Sequence, residues 1–357
     1  MSLEDTLNEL SYGGPEVRVR AARRLVELAQ PQALPLLMAA LADPEPEVRT
    51  EAARTLQVFN DRRSVPALLP LLNDTNWTVR AAAAATLGKL GDIAAAKPLL
   101  RLLEATYWQH INILPQHQAL VEATIALGRL HDPRAAGILS QLLKKGYKAA
   151  LSDWQLELRM AAAVGLGYMD TTQAVSTLLK TLTDREPARL REAIVTGLAT
   201  TKSEESYQLM LRGLQLGAFE DKTQLWRRLE GITIALGLRG ETRAVPHLLP
   251  LAQSPYPEVR LALARTVVRL GAVQADQVLI GLLRDRMAEV RAVAAQALGE
   301  LQIAAAQIPL LAVAQDPDRT VAQAARFSIE AIKLLGTGRN QRTAPLLDAG
   351  TANNDND

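Results

Sequence analysis

The chain has 357 residues, of which 48% are hydrophobic, so it is long and apolar enough to bury a continuous core. Its 40 basic and 38 acidic residues nearly cancel, which disfavours a surface built to bind nucleic acid. The sequence has no cysteine, which excludes disulfides, thiolate nucleophiles and cysteine-ligated metal sites.

The sequence also gives an expectation about location. It begins with MSLEDTLNEL, which lacks the basic and apolar segments of a secretion signal. No apolar run approaches the roughly 18 residues that a membrane-spanning helix needs. These features predict a cytoplasmic protein without a transmembrane segment.

A regular repeat runs along the chain. Three copies of one pattern begin at Val17, Val48 and Val79, which are spaced by 31 residues. Three more begin at Val259, Val290 and Val321, with the same spacing. Weaker copies begin near Ala119, Leu158, Leu190 and Arg228, which makes ten units. A short repeated unit cannot bury its apolar face alone, so the units must stack on one another.

Each unit reads as two helices. In its second half, apolar residues recur at i, i+4, i+5 and i+8, as at Val48, Ala52, Ala53 and Leu56, and they form one face of a helix, here called helix B. The first half, such as SVPALLPLLND from Ser64, predicts a shorter helix A with proline in its first turn. Glycines after helix B, Gly91 and Gly271, predict left-handed C-caps.

These patterns predict an all-α fold, a right-handed α-solenoid of about ten helical hairpins over residues 1–335. The remaining segment, residues 336–357, is polar and has no apolar periodicity. We therefore expect a disordered C-terminal tail there.

One stretch identifies the repeat type. Residues 74–92, DTNWTVRAAAAATLGKLGD, resemble the short HEAT-like repeat of the phycobilisome-lyase type, and residues 43–56 and 285–301 resemble it too. The resemblance spans nearly the whole chain and implies a HEAT-type solenoid from a cyanobacterium. Proteins with this repeat include bilin lyase subunits, phycobilisome-degradation factors and adaptors.

Arginine and aspartate recur at fixed spacing in the units. Arg49, Arg80, Arg159 and Arg291 lie six residues after Asp43, Asp74, Asp153 and Asp285, and Arg191 lies seven after Asp184. A row of anion-binding arginines is one interpretation. Because the pattern recurs in so many units, we assign it to the fold, with each Asp capping helix B and pairing with an Arg of its own or a neighbouring unit.

Three units are longer than the regular repeat, and each excess falls between helix A and helix B. The insertions lie near residues 104–118, 144–157 and 213–227. Insertions at one point of a solenoid repeat project from one edge, which is often the binding edge. Aromatic residues are only 4% of the chain, yet they concentrate in these connections and at the start of helix B.

We call this set the aromatic edge: Trp77, Tyr107, Trp108, Tyr147, Trp154, Phe219, Trp226 and Tyr256. Trp77 and Trp226 occupy equivalent positions in their units. Large rings at an edge can simply cap the core. Tryptophan and tyrosine are also over-represented at interface hot spots, which predicts a partner-binding ridge.

The sequence offers no catalytic constellation. It contains no HExxH, GxxxxGK[ST] or GxSxG motif. His110 and His117 share an insertion, and two lone histidines in a polar loop are typical of exposed residues rather than metal ligands. We therefore expect no catalytic residues, no metal site and no cofactor.

Three functions remain open at this stage. The first is a non-enzymatic scaffold or adaptor that binds a folded protein, which the resemblance extends to phycobilisome or photosynthetic proteins. The second is a subunit of a bilin lyase or isomerase that presents a phycobiliprotein for chromophore attachment. The third, a DNA-binding solenoid, is disfavoured because residues 1–60 carry six basic and nine acidic side chains.

Overall fold

The computed structural model describes residues 2–28, 30–107, 117–144, 153–215 and 225–340. Over these ranges the chain consists of α-helices, 3₁₀ turns and short connections, without any β-strand. The predicted all-α solenoid of helical hairpins is confirmed.

The described helices form ten pairs, as many as the repeat predicts. The A helices are α1 (Leu3–Tyr12), α3 (Leu34–Ala40), α5 (Val65–Leu68), α7 (Ala96–Tyr107), α9 (Pro133–Lys144), α11 (Thr172–Thr181), α13 (Glu204–Gly213), α15 (Val245–Leu248), α17 (Asp276–Leu282) and α19 (Gln307–Val313). The B helices are α2 (Pro15–Leu28), α4 (Pro46–Phe59), α6 (Trp77–Leu90), α8 (His117–Arg129), α10 (Asp153–Met169), α12 (Ala188–Thr200), α14 (Leu225–Arg239), α16 (Pro257–Arg269), α18 (Ala288–Glu300) and α20 (Arg319–Asn340).

The chain divides into two compact units, Met1–Ala235 and Leu236–Asp357. The first unit contains α1 to α13 and most of α14. The second contains the end of α14 and the three helix pairs from α15 to α20.

Small residues and hydroxyls join neighbouring B helices in the first unit. Val48, Ala52 and Leu56 on α4 are fully buried, as their periodicity predicts. The buried Thr55 hydroxyl donates to the carbonyl of Ala22 on α2 at 3.0 Å, and Thr86 on α6 repeats this bond to α4 at 2.8 Å. Buried hydroxyls with a backbone acceptor stabilise close helix contacts without leaving an unsatisfied group.

Glycine allows the closest approach between α8 and α10. A Cβ atom on Gly128 would lie 2.2 Å from the carbonyl oxygen of Gly165. No side chain fits there, so the glycine is required by packing.

Helix ends follow local rules. Pro46 and Pro257 open B helices, where a missing N–H costs no hydrogen bond. Gly91 and Gly271 follow B helices with φ of 65° and 61°, so both predicted left-handed positions are confirmed.

The structure moves several predicted boundaries. Helix α7 continues to Tyr107, and α10 and α14 begin at Asp153 and Leu225, so parts of the predicted insertions extend the flanking helices. Helix α20 ends at Asn340, so the last helix continues past the boundary predicted at residue 335. Gly336 and Gly338 weaken that helix by about 1 kcal/mol each relative to alanine, which does not by itself end it.

Membrane insertion finds no support in the described helices, since none of them is both long enough and apolar enough to cross a bilayer.

Candidate protein-binding surface

The arginine at the start of helix B binds two consecutive repeats. In α4, Arg49 Nη1 donates to the carbonyl oxygens of Asp43 at 2.6 Å and Pro44 at 3.0 Å. Its Nε and Nη2 atoms donate to the two carboxylate oxygens of Asp74, at 2.8 and 2.9 Å. One guanidinium thus ties the start of its own helix B to the next repeat.

The same bidentate ion pair recurs in other repeats, between an arginine and the aspartate 25 residues later in sequence. The bidentate pairs are Arg18–Asp43, Arg49–Asp74, Arg260–Asp285 and Arg291–Asp316. We call this series the Arg–Asp ladder. Each aspartate also accepts the backbone N–H two residues later, as Asp74 does from Asn76 at 2.8 Å, which orders the turn before helix B.

The ladder is structural, as expected. The Arg260 and Asp285 side chains are each only 6% exposed, and the hydrogen bond from Arg291 holds the pKa of Asp316 below its usual value. Each of these carboxylates already accepts the Nε and Nη2 hydrogen bonds of its arginine, so these donors are not available to an external anion.

Two positions of the recurring Arg and Asp pattern have partners that differ from the ladder pairs. Arg159 binds Glu186 through Nη2 at 2.9 and 2.8 Å, whereas Asp153 is the exposed first residue of α10. Asp184 binds Arg227 rather than Arg191. The reason is geometric, because a ladder arginine meets a carboxylate of the following repeat, and the aspartate before it in sequence is left to other contacts.

The structure places four residues of the aromatic edge. Trp77 opens α6, while Trp154 and Trp226 are the second residues of α10 and α14. All three are half-buried and belong to the first unit. Tyr256, also half-buried, precedes α16 in the second unit.

The other four residues of the aromatic edge are not placed in this way. Tyr107 ends α7, and its side chain is not described. Trp108, Tyr147 and Phe219 lie outside the described residues. A role of this edge in binding stays a prediction.

The three tryptophans share one side of the first unit. Neighbouring B helices from α6 to α14 pack in matching register, so their N-terminal ends lie on the same side. The contacts are Gly88 with Ala126, Gly128 with Gly165, Gly197 with Ala163 and Gly231 with Val195. Packed helices are roughly 8–10 Å apart, and the tryptophans are two B helices apart, so the three rings span roughly 32–40 Å.

Trp226 is held in an electrostatic cluster that the sequence alone did not reveal. The Arg227 guanidinium lies 3.8 Å from the ring centroid, a cation–π contact. Arg227 also binds Asp184 at 2.5 Å and Glu230 at 2.8 Å. These contacts fix one side of the ring without burying it.

A separate cavity of about 630 Å³ opens on the B-helix face of α2, α4 and α6. Six charged side chains line it, Glu16, Arg20, Arg23, Glu47, Glu51 and Arg54. Three are acidic and three are basic, so the cavity has no net charge. Such a balance does not favour a polyanion.

Glu122 on α8 is a half-buried carboxylate that no sequence motif singles out. Burial raises its pKa, and the charges of Arg129 and Arg54 oppose the shift. Arg129 also lies 4.9 Å from the centroid of the Tyr168 ring. The periodic position of Glu122 on helix B was the only available signal.

The histidines give no metal centre in the part of the chain that is described. His117 is the first residue of α8, not a loop residue as expected, and its Nε2 lies 3.2 Å from Glu157. No group of three or more His, Asp or Glu side chains converges there. His110 lies outside the described residues.

Comparison with solved structures gives proteins of low sequence identity. An engineered protein is 21% identical, with 93% of this chain and 99% of that chain covered and a TM-score of 0.37. The karyopherin Kap121p, bound to the extreme C-terminus of the phosphatase Cdc14p, is 16% identical over 92% of this chain and 41% of its own, with a TM-score of 0.49. A chain of the CpcE–CpcF complex of the Nostoc phycocyanin lyase is 21% identical, with 78% of this chain and 92% of that chain covered and a TM-score of 0.41.

A comparison with curated protein sequences gives no significant match. The family model for HEAT repeats, in contrast, matches residues 3–64, 40–110, 147–221 and 228–299. These segments cover well over half of the chain, and they coincide with the stacked helix pairs and with most of the Arg–Asp ladder. The chain therefore belongs to the HEAT-repeat family.

Proposed function

We propose that this HEAT-repeat chain is a scaffold that binds a folded protein along the aromatic edge of its first unit. The observation that carries the proposal is the placement of Trp77, Trp154 and Trp226. Three half-exposed tryptophans stand at the first turn of three B helices, on one side of the unit. Tryptophan is the residue most enriched among interface hot spots.

The span of these rings favours a folded partner. Roughly 32–40 Å between the outer two exceeds what one small ligand covers and suits a protein interface of standard size. The balanced charge of the nearby cavity is also compatible with a protein surface, which carries both signs.

The test separates binding from core capping. We expect the double variant Trp77→Ala/Trp154→Ala to lose at least ~2 kcal/mol of affinity for a partner purified with the chain from its native host. Its thermal unfolding should change little. Tyr12→Ala, which removes an 87% exposed ring from the end of α1, is the matched control and should alter neither property.

If the rings cap the core instead, the double variant should unfold more easily by ~3–5 kcal/mol per buried ring, while its folded fraction binds normally. That result would end the proposal. Trp108, Tyr147 and Phe219 belong to the same proposed edge and can be replaced in a second series.

A narrower assignment rests on the repeat resemblance in residues 74–92. It makes the partner a phycobiliprotein and the chain either an adaptor for phycobilisome proteins or a subunit of a bilin lyase or isomerase. Coexpression with a bilin and phycobiliprotein subunits distinguishes these roles. Covalent attachment that needs this chain supports the lyase, whereas complex formation without attachment supports the adaptor.

A further inference from the structure

Arg80 occupies a ladder position with the same backbone contacts as its paired counterparts. Its Nη1 donates to the carbonyl oxygens of Asp74 at 2.6 Å and Thr75 at 3.2 Å. The corresponding distances for Arg49 are 2.6 and 3.0 Å. The guanidinium of Arg80 is therefore held in the orientation that presents Nε and Nη2 to a carboxylate.

The carboxylate itself is missing. In the four bidentate pairs of the ladder, the arginine takes its carboxylate from the aspartate that lies 25 further along the chain. The residue at that distance from Arg80 is Ala105. No described side chain bonds to Nε or Nη2 of Arg80. Residues 105–121 contain neither Asp nor Glu, and no bond joins Arg80 to the flanking Glu104 or Glu122, both of which are described.

Arg191 provides an informative contrast. It too has a backbone contact, to the carbonyl of Glu186, and the residue at the ladder distance from it is Leu216 rather than an aspartate. Its following segment, however, contains Glu220 and Asp221. The segment that follows Arg80 at this distance, residues 105–121, contains no acid.

The environment of Arg80 makes an external carboxylate favourable. The residue is half-buried, and burial lowers the pKa of its guanidinium while the charge of Asp74 opposes that shift. The group stays charged because arginine does not deprotonate in proteins. A partly desolvated and already oriented fork loses little conformational freedom when it binds a carboxylate.

Trp77 stands next to this fork. It precedes Arg80 by three residues on α6, so the two side chains share a helix face. A ring beside a charged fork suits an acidic side chain that projects from an apolar surface.

We propose that Arg80 binds an aspartate or glutamate side chain of the partner protein, which takes the place of the missing ladder carboxylate. The inference rests on the proposed scaffold function and names the partner chemistry at one end of the aromatic edge. It makes Arg80 an orientation-specific anchor, because a bidentate pair fixes direction as well as distance.

The first experiment needs no partner. The chain is labelled with ¹⁵N-arginine, and the Nε–Hε resonances are followed during titration with sodium acetate and, at equal ionic strength, sodium chloride. The Arg80→Lys variant assigns the Arg80 resonance. We expect a saturable shift of that resonance with acetate alone, while Arg49 and Arg291, already paired, do not respond.

Three outcomes overturn the inference. The first is that the Arg80 resonance does not shift with acetate, and the second is that it shifts equally with chloride. The third is that, before acetate is added, its chemical shift already matches those of the paired ladder arginines. None of these outcomes bears on the tryptophan variants, so failure here is distinguishable from failure of the scaffold proposal.

The second experiment uses the purified partner. Arg80→Gln should weaken its binding by about tenfold or more, a loss of roughly 1.4 kcal/mol. Arg189→Gln, which removes the same charge from an exposed position at the start of α12, should leave binding within about twofold. If the two substitutions weaken binding equally, Arg80 contributes only its charge, and the proposed bidentate pairing is refuted.

Discussion

Removing Arg260 tests whether the Arg–Asp ladder stabilises the fold as its geometry indicates. Its Nε and Nη2 bind Asp285 at 2.5 and 2.8 Å, and Nη1 binds the carbonyl of Ser254 at 2.7 Å. Both charged side chains are 6% exposed, so water screens the pair little. Replacing one partner of a buried pair leaves a buried charge, which typically costs about 3–5 kcal/mol.

For Arg260→Met we expect the lower end of that range, about 3 kcal/mol, because Asp285 keeps one donor, the N–H of Met287 at 2.9 Å. The double variant Arg260→Met/Asp285→Asn should recover part of the loss, since no buried charge remains. The exposed Arg265, 3.8 Å from Glu289, is the matched control, and Arg265→Met should change stability by less than about 0.5 kcal/mol.

The assay is urea unfolding followed by circular dichroism and by tryptophan fluorescence. All four tryptophans precede residue 236, so fluorescence reports the first unit, whereas circular dichroism reports the whole chain. We expect Arg260→Met to shift the circular dichroism midpoint. A loss below about 1 kcal/mol, or a double variant as unstable as the single one, would refute the reasoning.

Two further predictions concern packing and pH. Gly128→Ala should destabilise the first unit by at least about 1–3 kcal/mol in thermal unfolding, because its Cβ would meet the Gly165 carbonyl at 2.2 Å. Gly137 in α9 has open space around it and is the control. Gly137→Ala should be neutral or stabilising in the same assay. The pKa of Asp316 is lowered by its hydrogen bond from Arg291, so its contribution is complete above the unfolded-state value of about 3.9 and is lost as pH falls through the lower folded-state value. Acid titration of Asp316→Asn should therefore show a weaker loss of stability below about pH 4 than the parent chain, and an unchanged acid profile would contradict this assignment.

The repeat predicts most of the fold because the apolar periodicity agrees with the positions of proline and glycine at the helix ends. The even spacing of Val17, Val48 and Val79 fixes the unit, and proline and glycine mark where helix B begins and ends. Local rules suffice here because each helix pair contacts mainly its neighbours. The last helix continues past the predicted boundary at residue 335 because two glycines weaken a helix without ending it.

The sequence shows the spacings of the ladder residues but does not identify which Arg and Asp side chains pair. The six-residue spacing of Asp43 and Arg49 reflects the backbone contact within a unit, whereas the ion pair joins Arg49 to Asp74 in the next unit. Both spacings are visible in the repeats. Choosing between them requires knowing which side of the arginine faces the next unit, and periodicity does not provide that.

The candidate surface was less accessible to sequence reasoning. Helical register places Trp77, Trp154 and Trp226 at one edge, but the stacking of Arg227 on Trp226 depends on acids from the turn before α12 and from α14 itself. The unusual environment of Glu122 likewise depends on burial between helices. Such features follow from three-dimensional packing rather than from any motif.

The ladder and the insertions compete for the same place in the repeat. The aspartate that completes each ladder pair stands between helix A and helix B, which is where the sequence is lengthened. At the lengthened junctions that follow Arg80 and Arg191, the residues at the ladder spacing are Ala105 and Leu216, neither of them acidic, whereas the third follows a unit with Leu120 in place of the arginine. At two insertions, therefore, a ladder arginine is not followed by its aspartate, and natural proteins depart from local rules of stability mainly where function requires it. The two missing aspartates are an observation separate from the tryptophans, and Arg80 lies where the two observations meet.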